Sequence, residues 1–288
     1  LEFTKWHGAG NDFILVEARP EDWPPERVGA LAARICDRHF GVGGDGLIFV
    51  YRDEDGRLNM RIFNADGSEA EMCGNGLRCA AKLAYQRGMA HERLFPISTR
   101  AGVMVPEIIL DGGAVAAVRV DMGEPEFRRE QVPVRGAPGT RMIEEEIAAG
   151  DELVAVTAVS MGNPHCLVFV ADVANAPVHD LGPRLERHEL FTSRTNVEFI
   201  EVRSDEEIAV RVWERGVGET LACGTGACAA VAGSALTGRT GRRVRVNLPG
   251  GQLLIAWADN NHIYMTGPAQ EVFRGELCED LLDRSEDS

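Results

Sequence analysis

Lysine is nearly missing from this chain. Of 288 residues, 30 are Lys or Arg, yet lysine stands only at Lys5 and Lys82. An enzyme that holds pyridoxal phosphate as a Schiff base needs a lysine, and neither of these two sits in a supporting motif. Basic residues are also outnumbered by the 45 acidic ones, giving a formal charge of −15. Nucleic acid and anionic membrane surfaces both call for a basic face, so neither is expected as a partner. No apolar run reaches the roughly 18 residues of a membrane span, and the opening LEFTKWHGAGNDF has neither the basic segment nor the apolar core of a secretion signal. Neither CxxC nor HxxxH spacing occurs, so no metal site is expected. The seven cysteines are an odd number at irregular spacing, a poor disulfide framework that suits a reducing compartment. A cytoplasmic enzyme acting on a small molecule is the class left standing.

What the chain does have is a repeat of itself. RIFNADGSEAEMCGNG, from Arg61, lies without gaps over RVWERGVGETLACGTG, from Arg211. Arg61/Arg211, Glu69/Glu219, Cys73/Cys223, Gly74/Gly224 and Gly76/Gly226 are identical, and the offset is half the chain. Upstream, Gly10-Asn11-Asp12 matches Gly162-Asn163-Pro164. Downstream, Met122-Gly123 faces Thr266-Gly267. Three echoes in one order point to an ancient duplication and two similar domains, the number that a soft prior of about 150 residues per domain also gives.

Short apolar or alternating runs read as strands: 13–16, 47–51, 58–63, 115–120, 154–159, 167–170, 208–213, 244–248 and 253–257. Helix signals are fewer. One covers Pro25–Arg38, one follows CGNG over Leu77–Arg87, and one follows CGTG over Ala227–Thr237; Gly88 and Gly238 close the last two. The last helix is small or apolar nearly all round, so it should be buried on every side, as a helix threaded through a curled sheet would be. Glu144–Glu146 reads as a solvated loop or helix face, and the acidic tail after Glu276 as a solvated end.

Each CGxG sits where a strand-turn segment gives way to a helix. Its glycines permit a tight turn and a close ligand. The first N–H groups of a helix attract anions, and a cysteine there gains thiolate character. Two such cysteines related by a repeat, if they approach one cleft from opposite sides, can take a proton from one face of a carbon and return one to the other. Helix N-terminal amides aimed at an α-carboxylate would stabilise the developing carbanion without a cofactor.

HGAGNDF (7–13), FNADGSEAEMCGNGLRC (63–79), SMGNPHC (160–166), ERGVGETLACGTGACA (214–229) and NLPGG (247–251) together resemble the diaminopimelate epimerases, over nearly the whole chain. The resemblance implies an α+β fold of two pseudo-symmetric domains. Each would be a curled, mostly antiparallel, barrel-like sheet wrapped around a central helix. The expected bounds are 1–120 with the tail 273–288, and 121–272, with the site in the cleft between them. It implies cofactor-independent conversion of LL- to meso-diaminopimelate, for lysine and peptidoglycan synthesis, by Cys73 and Cys223 as acid and base. Gly74-Asn75 and Gly224-Thr225 would hold the reacting carboxylate. Asn11, Asn64, Asn163, Asn196, Glu214 and Arg215 would read the substrate, and His165 and Glu214 would tune the sulfurs. Some relatives have Gln where this chain has Gly46, and some a Tyr at the dimer contact where it has Phe273; a homodimer is implied. The plain reading of Cys36, Cys79, Cys166, Cys228 and Cys278 is packing. Two rivals share the cysteine pair: a proline or hydroxyproline racemase, and a thiol redox protein.

Overall fold

The computed structural model describes residues 1–278 and residue 281. The chain forms two compact units, Leu1–Val120 with Gly267–Ser288, and Asp121–Thr266. The first begins with β1 (Glu2–Gly8), β2 (Asn11–Val16), α1 (Pro25–Cys36), β3 (Gly46–Arg52), β4 (Leu58–Asn64) and β5 (Glu69–Ala70). It continues with α2 (Gly74–Gln86), β6 (Ile97–Thr99), β7 (Gly102–Met104), β8 (Glu107–Asp111) and β9 (Ala114–Asp121). The second unit holds β10 (Glu145–Ala149), β11 (Glu152–Ser160), β12 (Pro164–Phe169), α3 (Val178–Glu186), β13 (Asn196–Ser204), β14 (Glu207–Glu214) and β15 (Gly218–Thr220). Then come α4 (Gly224–Leu236), β16 (Arg243–Leu248), β17 (Gly251–Trp257) and β18 (Ile263–Gly267), and β19 (Gln270–Glu276) returns to pair with β1 of the first unit.

The duplication seen in the residues is also a duplication of topology. In the first unit β1 pairs antiparallel with β2, α1 crosses to a parallel β3, β4 returns antiparallel, β5 folds back on β4, and α2 crosses to a parallel β6 that turns into β7. The second unit repeats every step: β11 with β12, across α3 to β13, back to β14 with β15 folded on it, across α4 to β16 and β17. Each sheet is therefore mixed but mainly antiparallel, with parallel pairs only where a helix makes the crossover. The fold class is α+β, with few helices and much sheet.

The helix α4 lies against β11, β12, β13, β14, β16 and β17. Its run of small residues from Gly226 to Ser234 is buried throughout, the enclosure that its composition demands. The helix α2 is held against β1, β2, β3, β4 and β8 in the same way, and its residues from Gly74 to Ala81 are buried. Both helices end before a glycine in the left-handed region, Gly88 at φ 70° and Gly238 at φ 71°, where a Cβ would be strained.

Four expectations need correction. The first unit takes in residues 267–272 as well as the tail, because α2 is tied to them: Arg78 Nε donates to Pro268 O (3.2 Å) and Lys82 Nζ to Ala269 O (2.8 Å). Glu145 and Glu146 belong to β10, paired with β11 across Val156 and Ala155, so the acidic triplet is mostly strand. Helix α3 gave no signal because Gly182-Pro183 reads as a break. The glycine is there because an added Cβ would lie 2.8 Å from Trp213 Cγ, and the helix tolerates Pro183 inside it. Cys36, Cys79, Cys166 and Cys228 are buried as packing predicts, but Cys278 is exposed. The acidic end of the chain lies outside the described residues, apart from Leu281.

Gly233 of α4 shows how tightly sheet and helix mesh: a Cβ there would stand 2.1 Å from Leu167 Cδ1, in the buried face of β12. Alanine is the better helix former by about 1 kcal/mol, but overpacking a filled core costs about 1–3 kcal/mol. Gly233→Ala is therefore expected to lower the urea midpoint of unfolding. An unchanged or raised midpoint would mean that Leu167 has room to move.

Candidate active site

The approach to each cysteine is built the same way. β4 and β5 form a hairpin that delivers Cys73 to the start of α2; β14 and β15 form the equivalent hairpin before Cys223 and α4. The Arg and Glu that the two repeats share brace these hairpins. Arg61 Nε and Nη2 donate to Glu69 Oε1 and Oε2 at 2.6 and 3.0 Å; Arg211 makes the same pair with Glu219 at 2.7 and 3.1 Å. Such two-pronged pairs fix orientation as well as distance. Each cysteine is then the N-cap of its helix. Gly76 N–H donates to Cys73 Sγ at 3.5 Å, and Gly226 N–H donates to Cys223 Sγ at 3.3 Å. A sulfur in that position faces the positive end of the helix.

Around Cys73 the polar groups form one directed chain. Arg78, fully buried, can only donate, and its Nη1 does so to Asn75 Oδ1 at 2.9 Å. Asn75 Nδ2 donates to Asn11 Oδ1 at 3.1 Å, and Asn11 Nδ2 donates to the Asp45 carboxylate at 2.6 Å. With a pure donor at one end and an ionised acceptor at the other, every amide in between has its orientation set. Asn11 Oδ1 is thereby turned to Cys73, whose S–H reaches it at 3.8 Å. Asp45 is held in turn by Arg38 at 2.8 Å, which also binds Asp12, and Lys5 completes the cluster at 2.6 Å from Asp12. Asn11 owes its place to the tight β1–β2 turn, where Ala9 and Gly10 both take positive φ (58° and 88°).

Around Cys223 the parts differ. Thr225 Oγ1 lies 3.5 Å from Cys223 Sγ, and Asn163 Nδ2 donates to Thr225 Oγ1 at 3.3 Å. Asn163 Oδ1 meets His165 Nε2 at 2.9 Å, and His165 Nδ1 meets Glu198 Oε1 at 2.7 Å, both ring and carboxylate being wholly buried. Gly162, at φ 89°, turns β11 into β12 just ahead of Asn163, as Gly10 does ahead of Asn11. Asn196 is buried in β13 beside β12, its Nδ2 donating to Pro164 O (3.0 Å) and its Oδ1 accepting from Arg215 N (2.9 Å). Glu214 accepts from Thr220 Oγ1 at 2.5 Å.

Of the residues singled out from the sequence, Asn11, Gly74 and Asn75 gather at Cys73, and Asn163, His165, Gly224 and Thr225 at Cys223. Asn64 is exposed and bonded to Ser68 Oγ at 2.9 Å, within its own turn. Arg215, expected to read the substrate, is exposed and donates from Nη1 to Ser193 O at 2.9 Å. Gly46 has a structural reason: a Cβ there would stand 2.9 Å from Phe63 O, so glycine lets β3 and β4 close up. Reading the sequence missed Arg78, Asp45 and Glu198. Glu198 had a signal, a lone acid among the apolar residues Val197, Phe199 and Ile200; Arg78 and Asp45 had none.

The expected thiolate character fails at Cys223. Burial pushes its thiol well above the ordinary range, and the charges of Glu214 and Glu198 push the same way, against hydrogen bonds from Thr225 and Gly226. Burial is the main cause that drives Cys36 and Cys79 up to about 12, which suits thiols that only pack. Among the described residues no group of three or more His, Cys, Asp or Glu is placed to hold a metal ion.

This duplicated fold is shared with solved racemases, epimerases and related isomerases. A probable proline racemase from Agrobacterium radiobacter K84 with bound carbonate superposes with a TM-score of 0.69, at 16% identity, over 98% of this chain and 94% of its own. A predicted epimerase from Pseudomonas aeruginosa gives 0.68 at 18% identity, over 96% and 98%. At such identities the likeness concerns the fold. The family follows from sequence. The diaminopimelate epimerase family model matches residues 3–128 and 157–272. Relatives named diaminopimelate epimerase include one from Moorella thermoacetica, 55% identical over 96% of this chain and 99% of its own length, and one from Pelotomaculum thermopropionicum, 54% identical over 96% and 98%. The chain belongs to the diaminopimelate epimerase family, and it is an isomerase.

The cluster beneath Cys73 gives a pH test. Burial raises the Asp12 carboxyl, but hydrogen bonds and charge from Arg38 and Lys5 outweigh it, and the carboxyl is held below its ordinary range. A lowered carboxyl adds stability above its unfolded value of about 4 and loses it as pH falls through the folded value. Arg38→Gln weakens the hold on Asp12, so acid unfolding is expected to begin at higher pH than in the wild type. Coincident acid transitions would show that the pair adds nothing.

Proposed function

We propose that this chain interconverts LL-diaminopimelate and its meso isomer by proton exchange at one α-carbon, with Cys73 and Cys223 as the two bases. One sulfur, as thiolate, takes the α-proton from one face. The other, as thiol, gives its proton to the opposite face, and the electron pair released from the C–H bond is held in between by the α-carboxylate. Amides at the two helix starts, with Asn75 and Thr225, stabilise that charge, so the reaction calls for no cofactor. Burial and the charge of Glu214 favour the thiol of Cys223. Asn11, Asn163, Asn196, Glu214 and Arg215 read the rest of the substrate, with Asn64 from its turn.

The observation that carries the reading is the repetition itself. Two copies of one topology each end a braced hairpin in a cysteine that caps a helix. A single reactive thiol needs no second copy; inversion at a carbon needs both. Cys73→Ala and Cys223→Ala are each expected to lower epimerisation by roughly 10²–10⁴-fold or more. In heavy water, product from LL-diaminopimelate should carry deuterium at a single α-carbon. Retained turnover in either variant, or label at both centres, would overturn the two-base reading.

The same reading includes a homodimer and a cytoplasmic location. The dimer is supported by β19, which offers Val272 and Phe273 exposed on an edge strand, at 55% and 47%. The location is supported by seven cysteines with no disulfide among the described residues, and no helix among the described residues is long and apolar enough to cross a membrane. Val272→Asp leaves the Phe3–Phe273 contact in place and is expected to halve the mass seen by light scattering; an unchanged mass would remove β19 from any interface.

A further inference from the structure

Behind Cys223 lies a buried pair that the reaction as described does not use. His165 and Glu198 have no solvent exposure, and their ring and carboxylate are 2.7 Å apart. The second oxygen of Glu198 is buried without a hydrogen-bond partner among the described residues. A carboxylate so placed is costly unless a positive charge stands against it, and His165 is the ion-pair partner within reach. Both nitrogens of His165 face acceptors, the Glu198 carboxylate and Asn163 Oδ1. That arrangement is satisfied when both ring nitrogens carry protons.

The charge on His165 then decides how the next residues point. With His165 charged, Asn163 offers Oδ1 to the ring and its N–H to Thr225 Oγ1, and the Thr225 hydroxyl is free to donate to Cys223 Sγ 3.5 Å away. With His165 neutral and Nδ1 protonated, Nε2 becomes an acceptor. Asn163 must turn its amide round, Thr225 must donate to Asn163 Oδ1, and Thr225 can then only accept from the Cys223 S–H. The first direction suits a thiolate and the second a thiol. Resting on the two-base reading of Cys223, we infer that Glu198 is a positioning residue. Its carboxylate keeps His165 doubly protonated and thereby sets the direction of the hydrogen-bond chain His165–Asn163–Thr225 that ends on the Cys223 sulfur.

Of the other titratable groups on the strands packed against α4, Cys166 of β12 is buried, its thiol pushed up by burial and by Glu198, Glu201 and Arg203 of β13 pair with each other, and on β14 Glu207 pairs with Arg245 and Arg211 with Glu219. Glu214 of β14 acts on Cys223 by charge. Glu152 of β11 and Arg243 and Arg245 of β16 are exposed, and β17 carries no titratable side chain. Gly226 is glycine for the same reason that Glu198 is near: a Cβ there would stand 2.7 Å from Glu198 Oε1 and 3.3 Å from Cys223 Sγ.

Glu198→Gln separates this inference from simple electrostatics. Removing one carboxylate beside a thiol should by itself make the thiol ionise more readily. If Glu198 holds the charge on His165, its removal takes that charge too, the chain reverses, and Cys223 ionises less readily. The rate of Cys223 alkylation by iodoacetamide, followed by peptide mass spectrometry across pH, reads the difference. The expected result is alkylation at pH 8 slowed by about threefold or more relative to wild type, partial recovery in Glu198→Asp, and no effect of Glu198→Gln in a Thr225→Val background. Alkylation that is faster or unchanged in Glu198→Gln overturns the inference. Should that variant fail to fold, nitrogen-15 NMR of histidine-labelled wild-type protein decides, with His165→Gln giving the assignment. Two ring N–H signals for His165 at neutral pH support the inference, and one overturns it. None of these readouts uses turnover of diaminopimelate, so absence of epimerisation would sink the proposed function and leave this test standing.

Discussion

A helix surrounded by its own sheet still has a first turn whose amides need acceptors, and in both units that acceptor is a cysteine sulfur. Much of the chain can be derived from this constraint. The helix must be made of small or apolar residues because strands lie on several sides of it, as along α4. Its start must be free of bulk, hence Gly76 in one unit and Gly226 in the other. The hairpin that delivers the cap must not shift, hence the Arg–Glu pair across β4–β5 and again across β14–β15. Sulfur is a weak acceptor, so its hold on the amide is slight and its proton remains available for chemistry.

The two copies agree in backbone and differ in the polar side chains beside the sulfur. Near Cys73 the chain of bonds runs from a buried arginine to an aspartate, and turns a carbonyl oxygen to the thiol. Near Cys223 it begins at a buried glutamate and ends on a hydroxyl. Under the proposed two-base reaction, these unequal surroundings would give the two sulfurs different proton affinities without moving either one.

The repeat and the two CGxG turns made the cysteines and their helices readable from the residues, because spacing in sequence and position at a helix start are the same fact. The fold class was readable for a related reason, since alternation and glycine punctuation act locally. What stayed hidden depends on partners distant in the chain. Asp45 matters because Asn11 reaches it across β2 and β3, and Arg78 because Asn75 sits one turn before it with Pro268 on the far side. Helix α3 was hidden by Gly182, whose purpose is the face of Trp213, and Glu145 and Glu146 by strand partners eleven and nine residues on. Cys223 shows the limit of a local rule. The helix start favours its thiolate, but burial and two carboxylates from other strands prevail.

The brace that carries each sulfur is contained within one unit: Arg61 answers Glu69, and Arg211 answers Glu219. Neither seat borrows a part from the other copy. Each unit is therefore a self-contained cartridge that keeps its sulfur in register by its own latch. A side chain beside one sulfur, Asn75 or Thr225, can therefore differ from its counterpart while the opposite seat keeps its alignment, which gives a duplicated gene a gradual route from like halves to unlike ones.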